Sequence, residues 1–142
     1  HGFYEHGYFG YNGAFTPEEV DVPLLLSVPG LEPRAHEHRT AHQDLPGTLL
    51  RLLGVGDDAS GYTLGRDLFD PSPRPFSLSC GFTECGLRDD DGWLVFGTDS
   101  QALTRFEARD RDYAEVEDSS GAVRARAASI SEALDEMRRF LR

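Results

Sequence analysis

Five histidines, two cysteines and a run of three aspartates are the residues here whose types and spacing bear on chemistry. His1 and His6 stand in a glycine-lined loop, His1-Gly2 followed by Glu5-His6-Gly7-Tyr8-Phe9-Gly10. Polar, glycine-lined loops with histidines build sites, because an imidazole titrates near neutrality and can act as acid, base or hydrogen-bond donor. The structural alternative for His6 is a histidine that tethers the loop through both ring nitrogens. His36 and His38 lie one residue apart in a charged loop without a third ligand at a sensible spacing, so they read as surface residues. Asp89-Asp90-Asp91-Gly92 lacks the ligand pattern and distant Glu of a calcium hand and reads as a solvated turn. Cys80 and Cys85 match neither a redox CxxC nor a zinc knuckle. On one continuous strand they face opposite sides, so a disulfide needs a bend between them; two buried thiols are expected. No nucleophile–base pair and no three-ligand metal set can be named, so catalysis by these residues alone is not expected.

The elements that must hold these groups follow from the pattern. Residues 1–21 mix glycines with aromatic residues and hold no period of about 2 or 3.6, as in a structured loop. Thr16-Pro17-Glu18-Glu19 predicts a short helical turn with a Thr cap, Pro at the first position and acids at the positive end. Val22-Pro23-Leu24-Leu25-Leu26-Ser27-Val28 is apolar without alternation and predicts a strand covered on both faces, with Pro23 on its first rungs. The histidine loop thus sits beside a buried strand, where open α/β sheets carry chemistry. Asp44 caps a predicted helix with Leu45, Leu49, Leu52 and Leu53 as its apolar face and Gly54 as its left-handed stop. Tyr62 to Phe69 forms a compact segment ended by Pro71, Pro73 and Pro75.

The second half changes character. Phe76 to Cys80 alternates, Asp89 to Gly92 is a hairpin turn, and Trp93 to Phe96 is the return strand. Leu103 to Ala108 and Tyr113 to Val116 are weaker strand candidates. These predict a small antiparallel sheet. A helix over 129–141 follows, with Ser129 and Glu132 as a capping box and a stripe of Ile130, Ala133, Leu134, Met137 and Leu141 packed across that sheet.

A length of 142 residues suits one domain. Acidic residues number 25 against 14 basic ones, all arginine, for a net charge of -11, which disfavours nucleic acid and anionic membrane as direct partners. No apolar run approaches the ~20 residues of a membrane span, and no signal peptide is evident.

The order of these signals resembles the second half of the sulfatase branch of the alkaline phosphatase superfamily. His1-Gly2, Glu5-His6-Gly7-Tyr8-Phe9-Gly10-Tyr11, Glu18-Glu19-Val20-Asp21-Val22-Pro23-Leu24-Leu25 and Pro29-Gly30 are similar to its Asp-His-Gly, Glu-His-Gly-x-Phe-Gly-Lys and Val-Pro-Leu motifs. His42-Gln43-Asp44-Leu45-Pro46-Gly47-Thr48-Leu49-Leu50 resembles its Asp-x-x-Pro-Thr-Leu-Leu helix, and Leu52-Leu53-Gly54-Val55 and Gly65-Arg66-Asp67-Leu68-Phe69 continue the match. Arg39-Thr40-Ala41-His42, Phe69-Asp70 and Phe82-Thr83-Glu84 are similar to bacterial inner-membrane members with a periplasmic sulfatase-like domain. The resemblance covers about residues 1–85.

The resemblance implies an α/β, alkaline-phosphatase-like fold. Residues 1–75 would be the C-terminal part of its core, and 76–142 an antiparallel sheet and C-terminal helix of the same domain. It implies a hydrolase or transferase acting on phosphate or sulfate esters, small-molecule or lipid, with a divalent ion (Ca, Mn, Mg or Zn). The nucleophile and two metal-binding aspartates belong to an N-terminal portion that would be this chain's partner, so the chain reads as a fragment that holds no ion alone. His1 resembles the family's Asn or His metal ligand, and His6 its acid–base or leaving-group histidine. Tyr11 stands where sulfatases carry a Lys, which replaces a cation by one neutral donor and argues against an ordinary sulfatase. Asn12 could donate beside it. His42 would lie near the pocket wall and bind substrate, or fix the loop to the helix. A periplasmic or extracytoplasmic location, with a membrane anchor in the N-terminal region, is implied as well. Tyr11, and Gly47 at the family's Pro position, motivate the alternative of a degenerate protein that regulates or binds in the cell envelope. A small accessory module that folds by itself is a third reading.

Overall fold

The computed structural model describes Tyr4, Gly7, residues 15–98 and residues 106–139. In chain order these form α1 (Pro17–Val20), α2 (Asp44–Leu52), a 3-10 turn (Ala59–Gly61), β1 (Ser77–Cys80), β2 (Glu84–Asp89), β3 (Gly92–Gly97), β4 (Phe106–Arg109), α3 (Ser119–Ala125) and α4 (Ala127–Arg138). The fold mixes helix and strand, with a small four-stranded antiparallel sheet ordered β1-β2-β3-β4 and helices near the C-terminal end. It divides into two compact units, His1–Ala35 with Leu78–Ala125, and His36–Ser77 with Arg126–Arg142.

In the first unit the hairpin is built as its turn residues demand. β2 and β3 pair antiparallel from Glu84↔Gly97 to Asp89↔Gly92, which leaves Asp90-Asp91 as a two-residue loop. The alternation then sorts side chains by face. Cys85 opposite Phe96, and Leu87 opposite Leu94 with Ala108 beyond, fill one buried face. The other face carries Trp93, opposite Arg88 and Arg109, with the Arg88 guanidinium 4.8 Å from the Trp93 ring centroid. Phe15 closes against Gly86, where an added Cβ would lie 2.8 Å from the Phe15 ring, so only glycine fits. Arg88 also pairs with Asp21, which ties the segment after α1 to the sheet. Tyr113 meets Trp93 edge-on at 6.3 Å. The segment expected as a strand at Tyr113–Val116 contributes only an isolated bridge, Arg109↔Glu115. α3, which the apolar pattern did not signal, packs on β4 and is capped by Asp118, whose carboxylate accepts the Gly121 N–H at 2.8 Å.

Three expectations are corrected in this unit. Residues 22–28 form no strand: Leu25 is 96% exposed, with Val22, Leu24 and Leu26 partly so. An apolar run becomes a strand only beside a ladder partner, and none flanks it among the described residues. Cys80 and Cys85 form a disulfide with their Cα atoms 4.1 Å apart. The bend it needs is the turn Gly81-Phe82-Thr83, closed by the Gly81 N–H donating to the Glu84 carbonyl at 2.8 Å. The C-terminal helix does not lie across this sheet, since α4 belongs to the second unit. Its start also differs: Arg126 is the N-cap and Ser129 lies inside the helix, so the capping box is not formed.

In the second unit α2 stands where the pattern put it, but turned over. Its buried residues are Asp44, Gly47 and Thr48, while Leu49 is 41% and Leu53 80% exposed. Asp44 is the first helical residue, with Gln43 as N-cap, rather than the cap itself. The C-terminal stop is as expected. Gly54 has φ +85°, its N–H reaches the Arg51 carbonyl and the Val55 N–H reaches Leu50, a Schellman closure. α4 buries Ile130 and Ala133.

Candidate functional site

The buried face of α2 is polar because its partners are backbone groups of the loops around it. Asp44 Oδ2 accepts the Ala41 N–H at 2.7 Å. Asp44 Oδ1 accepts the Arg66 N–H at 2.7 Å and Arg74 Nη2 at 2.6 Å. The two side chains of that ion pair are 2% and 8% exposed, so little solvent screens it. One turn along, Thr48 Oγ1 donates to the Asp44 carbonyl and accepts the Leu68 N–H, each at 2.8 Å. Thr63 Oγ1 donates to the Gln43 carbonyl at 2.7 Å and accepts the Gly65 N–H at 3.0 Å. A Cβ at Gly65 would lie 1.8 Å from the Gln43 oxygen, so the loop touches the helix start only because this residue has no side chain. From α4, Arg139 donates to the Thr63 carbonyl at 2.8 Å.

This arrangement is a clamp. It fixes the loop 63–74 to the first turn of α2 by side chains that satisfy buried backbone groups. Both Asp44 oxygens face donors, which makes the carboxylate a poor proton acceptor. Arg74 Nη1 is buried without a hydrogen-bond partner among the described residues. Around the rim, Arg39 donates to the Arg74 and Pro75 carbonyls at 2.9 and 3.0 Å, and Arg66 to the Pro73 carbonyl at 3.2 Å. His38 Nε2 lies 2.9 Å from the Leu68 carbonyl oxygen and so carries the proton there. His36 stands edge-on to His38 at 5.4 Å and tilted to Phe69 at the same distance. The Ser72 hydroxyl and N–H hold Asp70 below the usual aspartate value, with a smaller contribution from Arg66 and His38. Asp58 is lowered in the same sense by the Ser60 N–H and hydroxyl.

Of the residues singled out in the sequence, His1, His6, Tyr11 and Asn12 lie outside the described residues. His42 is exposed in the turn entering α2, where its carbonyl accepts the Leu45 N–H at 3.1 Å. It stands two residues from Asp44, on the surface rather than inside the clamp. Among the described residues no group of three His, Cys, Asp or Glu is placed to hold a metal ion, and no helix is long and apolar enough to cross a membrane. Thr63, Gly65 and Arg74 were not picked out from the sequence. The signal for the first two was their place beside Gly65-Arg66-Asp67-Leu68; Arg74, in a proline cluster, carried none. No family model matches the chain, and no solved structure matches it.

Proposed function

We propose that the chain is part of a metal-dependent, sulfatase-like hydrolase or transferase acting on phosphate or sulfate esters, with a lipid-linked ester among its candidate substrates. The observation that carries this reading is the clamp. The two motifs that resemble the family, Asp44 to Leu50 and Gly65 to Phe69, are joined by buried hydrogen bonds from Asp44 and Thr48. They behave as one structural unit, as motifs kept in register should. The exposed Leu24–Leu26 segment supports it too, since a strand of a larger sheet needs neighbours to cover it. The Cys80–Cys85 bridge supports an extracytoplasmic location, where disulfides persist.

In this reading an N-terminal portion supplies the nucleophile and most ligands of a divalent ion, Ca, Mn, Mg or Zn, which would polarise the ester. His1 is this chain's proposed ligand. His6 is its proposed proton donor to the leaving group, and Tyr11 and Asn12 are neutral donors to the ester oxygens. His42 is the proposed substrate contact at the rim. Tyr11 in place of a lysine lacks a charge-assisted contact worth roughly 1.5–3 kcal/mol, so a phosphate ester or diester is favoured over a sulfate monoester. The alternative, a degenerate site with a regulatory or binding role in the cell envelope, loses one of its supports. Gly47 packs where a Cβ would lie 3.3 Å from Ala59 and 3.4 Å from Thr63, so its departure from the family pattern has a packing cause.

The test compares hydrolysis of an aryl sulfate, a phosphate monoester and a phosphodiester by the full-length parent and by Tyr11→Lys. The parent is expected to prefer a phosphate ester and Tyr11→Lys to shift toward the sulfate, while residues 1–142 alone turn over none. Preference of the unaltered parent for aryl sulfate refutes the role of Tyr11. Metal or lipid binding without turnover selects the regulatory alternative.

A further inference from the structure

We propose that the segment Val22–Val28 pairs with the same segment of a second copy, as a two-stranded antiparallel ribbon centred on Leu25, making the 142-residue chain a weak homodimer. Leu25 is 96% exposed, and Val22, Leu24 and Leu26 are 48%, 45% and 37% exposed. The run continues without regular structure, and the backbone groups of residues 24–27 make no hydrogen bond among the described residues. An extended, apolar stretch with unmade backbone bonds is a template for another strand.

Charge and register choose the occupant. The chain carries a net charge of -11, so two copies repel over most of their surface. Residues 22–31 hold no charged side chain, and the preceding Asp21 is neutralised by Arg88. Here, then, two copies meet without that penalty. In an extended strand the N–H and C=O groups of Leu24 and Leu26 point to one edge, and those of Pro23, Leu25 and Ser27 to the other. Antiparallel pairing about Leu25 sets Leu24 opposite Leu26 of the second copy, and Leu26 opposite Leu24. Each of these pairs exchanges both its hydrogen bonds, and Leu25 meets Leu25 at the close, non-bonded position. Pro23 falls on the opposite edge and removes a donor there, so that edge cannot recruit a third copy equally well. The pairing closes at two.

This inference rests on exposure and register, and the family reading is not needed for it. Sedimentation equilibrium of residues 1–142 from about 10 to 200 µM, a range where a weak complex of micromolar affinity would populate, is expected to show a reversible monomer–dimer equilibrium. Hydrogen exchange at high concentration is expected to protect Leu24 and Leu26. Leu25→Lys, at a side chain with almost no contacts, is expected to abolish the dimer with an unchanged far-UV spectrum. Leu26→Pro, which stays apolar but removes a pairing donor, is expected to abolish it as well. Phe82→Ser, at a fully exposed aromatic elsewhere on the chain, is expected to leave it intact. A monomer at every concentration, a dimer that survives Leu25→Lys or Leu26→Pro, growth beyond two copies, or loss of the dimer in Phe82→Ser would each overturn the proposal.

Discussion

Replacing Asp44 by alanine should cost more stability than its size suggests. The substitution leaves the Arg74 guanidinium, 8% exposed, without its counter-charge. Stranding one partner of a buried ion pair costs about 3–5 kcal/mol. The Ala41 and Arg66 N–H groups lose their acceptor too, at about 1–3 kcal/mol each if no water replaces it. These terms share one cavity and do not add, so the expected loss is about 4–6 kcal/mol, a large part of an ordinary domain's stability. Arg74→Met should cost less, about 1.5–3 kcal/mol, because Asp44 keeps its two backbone donors and the unpaired Nη1 disappears with the guanidinium. Asp44 is thus the hub and Arg74 a spoke. Urea unfolding followed by far-UV circular dichroism measures both losses. Trp93, the chain's single tryptophan, lies in the sheet and reports that unit separately by fluorescence. A loss below about 1 kcal/mol for Asp44→Ala, or a larger loss for Arg74→Met than for Asp44→Ala, would refute the reasoning.

Gly65→Ala should destabilise by more than the about 1–3 kcal/mol of ordinary overpacking, because its Cβ meets the backbone Gln43 oxygen, and thermal unfolding will show the fall. Thiol alkylation of the unreduced chain should give no adduct, and reduction should lower stability by about 2 kcal/mol, as loop-closure entropy gives for a short loop; labelling of both cysteines without reductant contradicts the bridge. Asp70 should titrate below the usual 3.8, and Ser72→Ala should return it toward that value in a carboxyl NMR titration. Because the folded value is depressed, the associated stability is present above the unfolded value and fades as pH falls through the folded one. Unchanged titration in Ser72→Ala would show that the hydroxyl is not the cause.

The hairpin was legible because turn chemistry and alternation agree. Asp89-Asp90-Asp91-Gly92 is a local signal, and Trp93 to Phe96 answers it. The extent of α2 was legible for the same reason, since the Gly54 stop depends on near neighbours. Its orientation was not. Leucine spacing points an apolar face inward, but the burial of Asp44 and Thr48 is decided by Arg66, Leu68 and Arg74, which lie 20 to 30 residues away. The strand expected at residues 22–28 failed on a related ground, because an apolar run says nothing of whether a neighbouring strand exists. The disulfide was half legible. Its spacing demanded a bend, and Gly81 offered one, but the pairing of β1 with β2 that brings Cys80 to Cys85 is tertiary. For the candidate site, only His42 can be compared, and it proves to be a surface residue beside a clamp whose key cation the sequence did not mark.

The two units alternate along the chain: residues 36–77 interrupt one, and residues 78–125 interrupt the other. Synthesis therefore cannot finish either in a single stretch. The Thr63 carbonyl meets Arg139 only after 76 further residues have been made, a wait of about 4–15 s at ordinary ribosome speeds. During that interval the sheet can close while the clamp still lacks its last helix. A nascent chain stalled shortly after Ala125 would display the first unit complete and the second half-built, and no one cut in the gene would separate them.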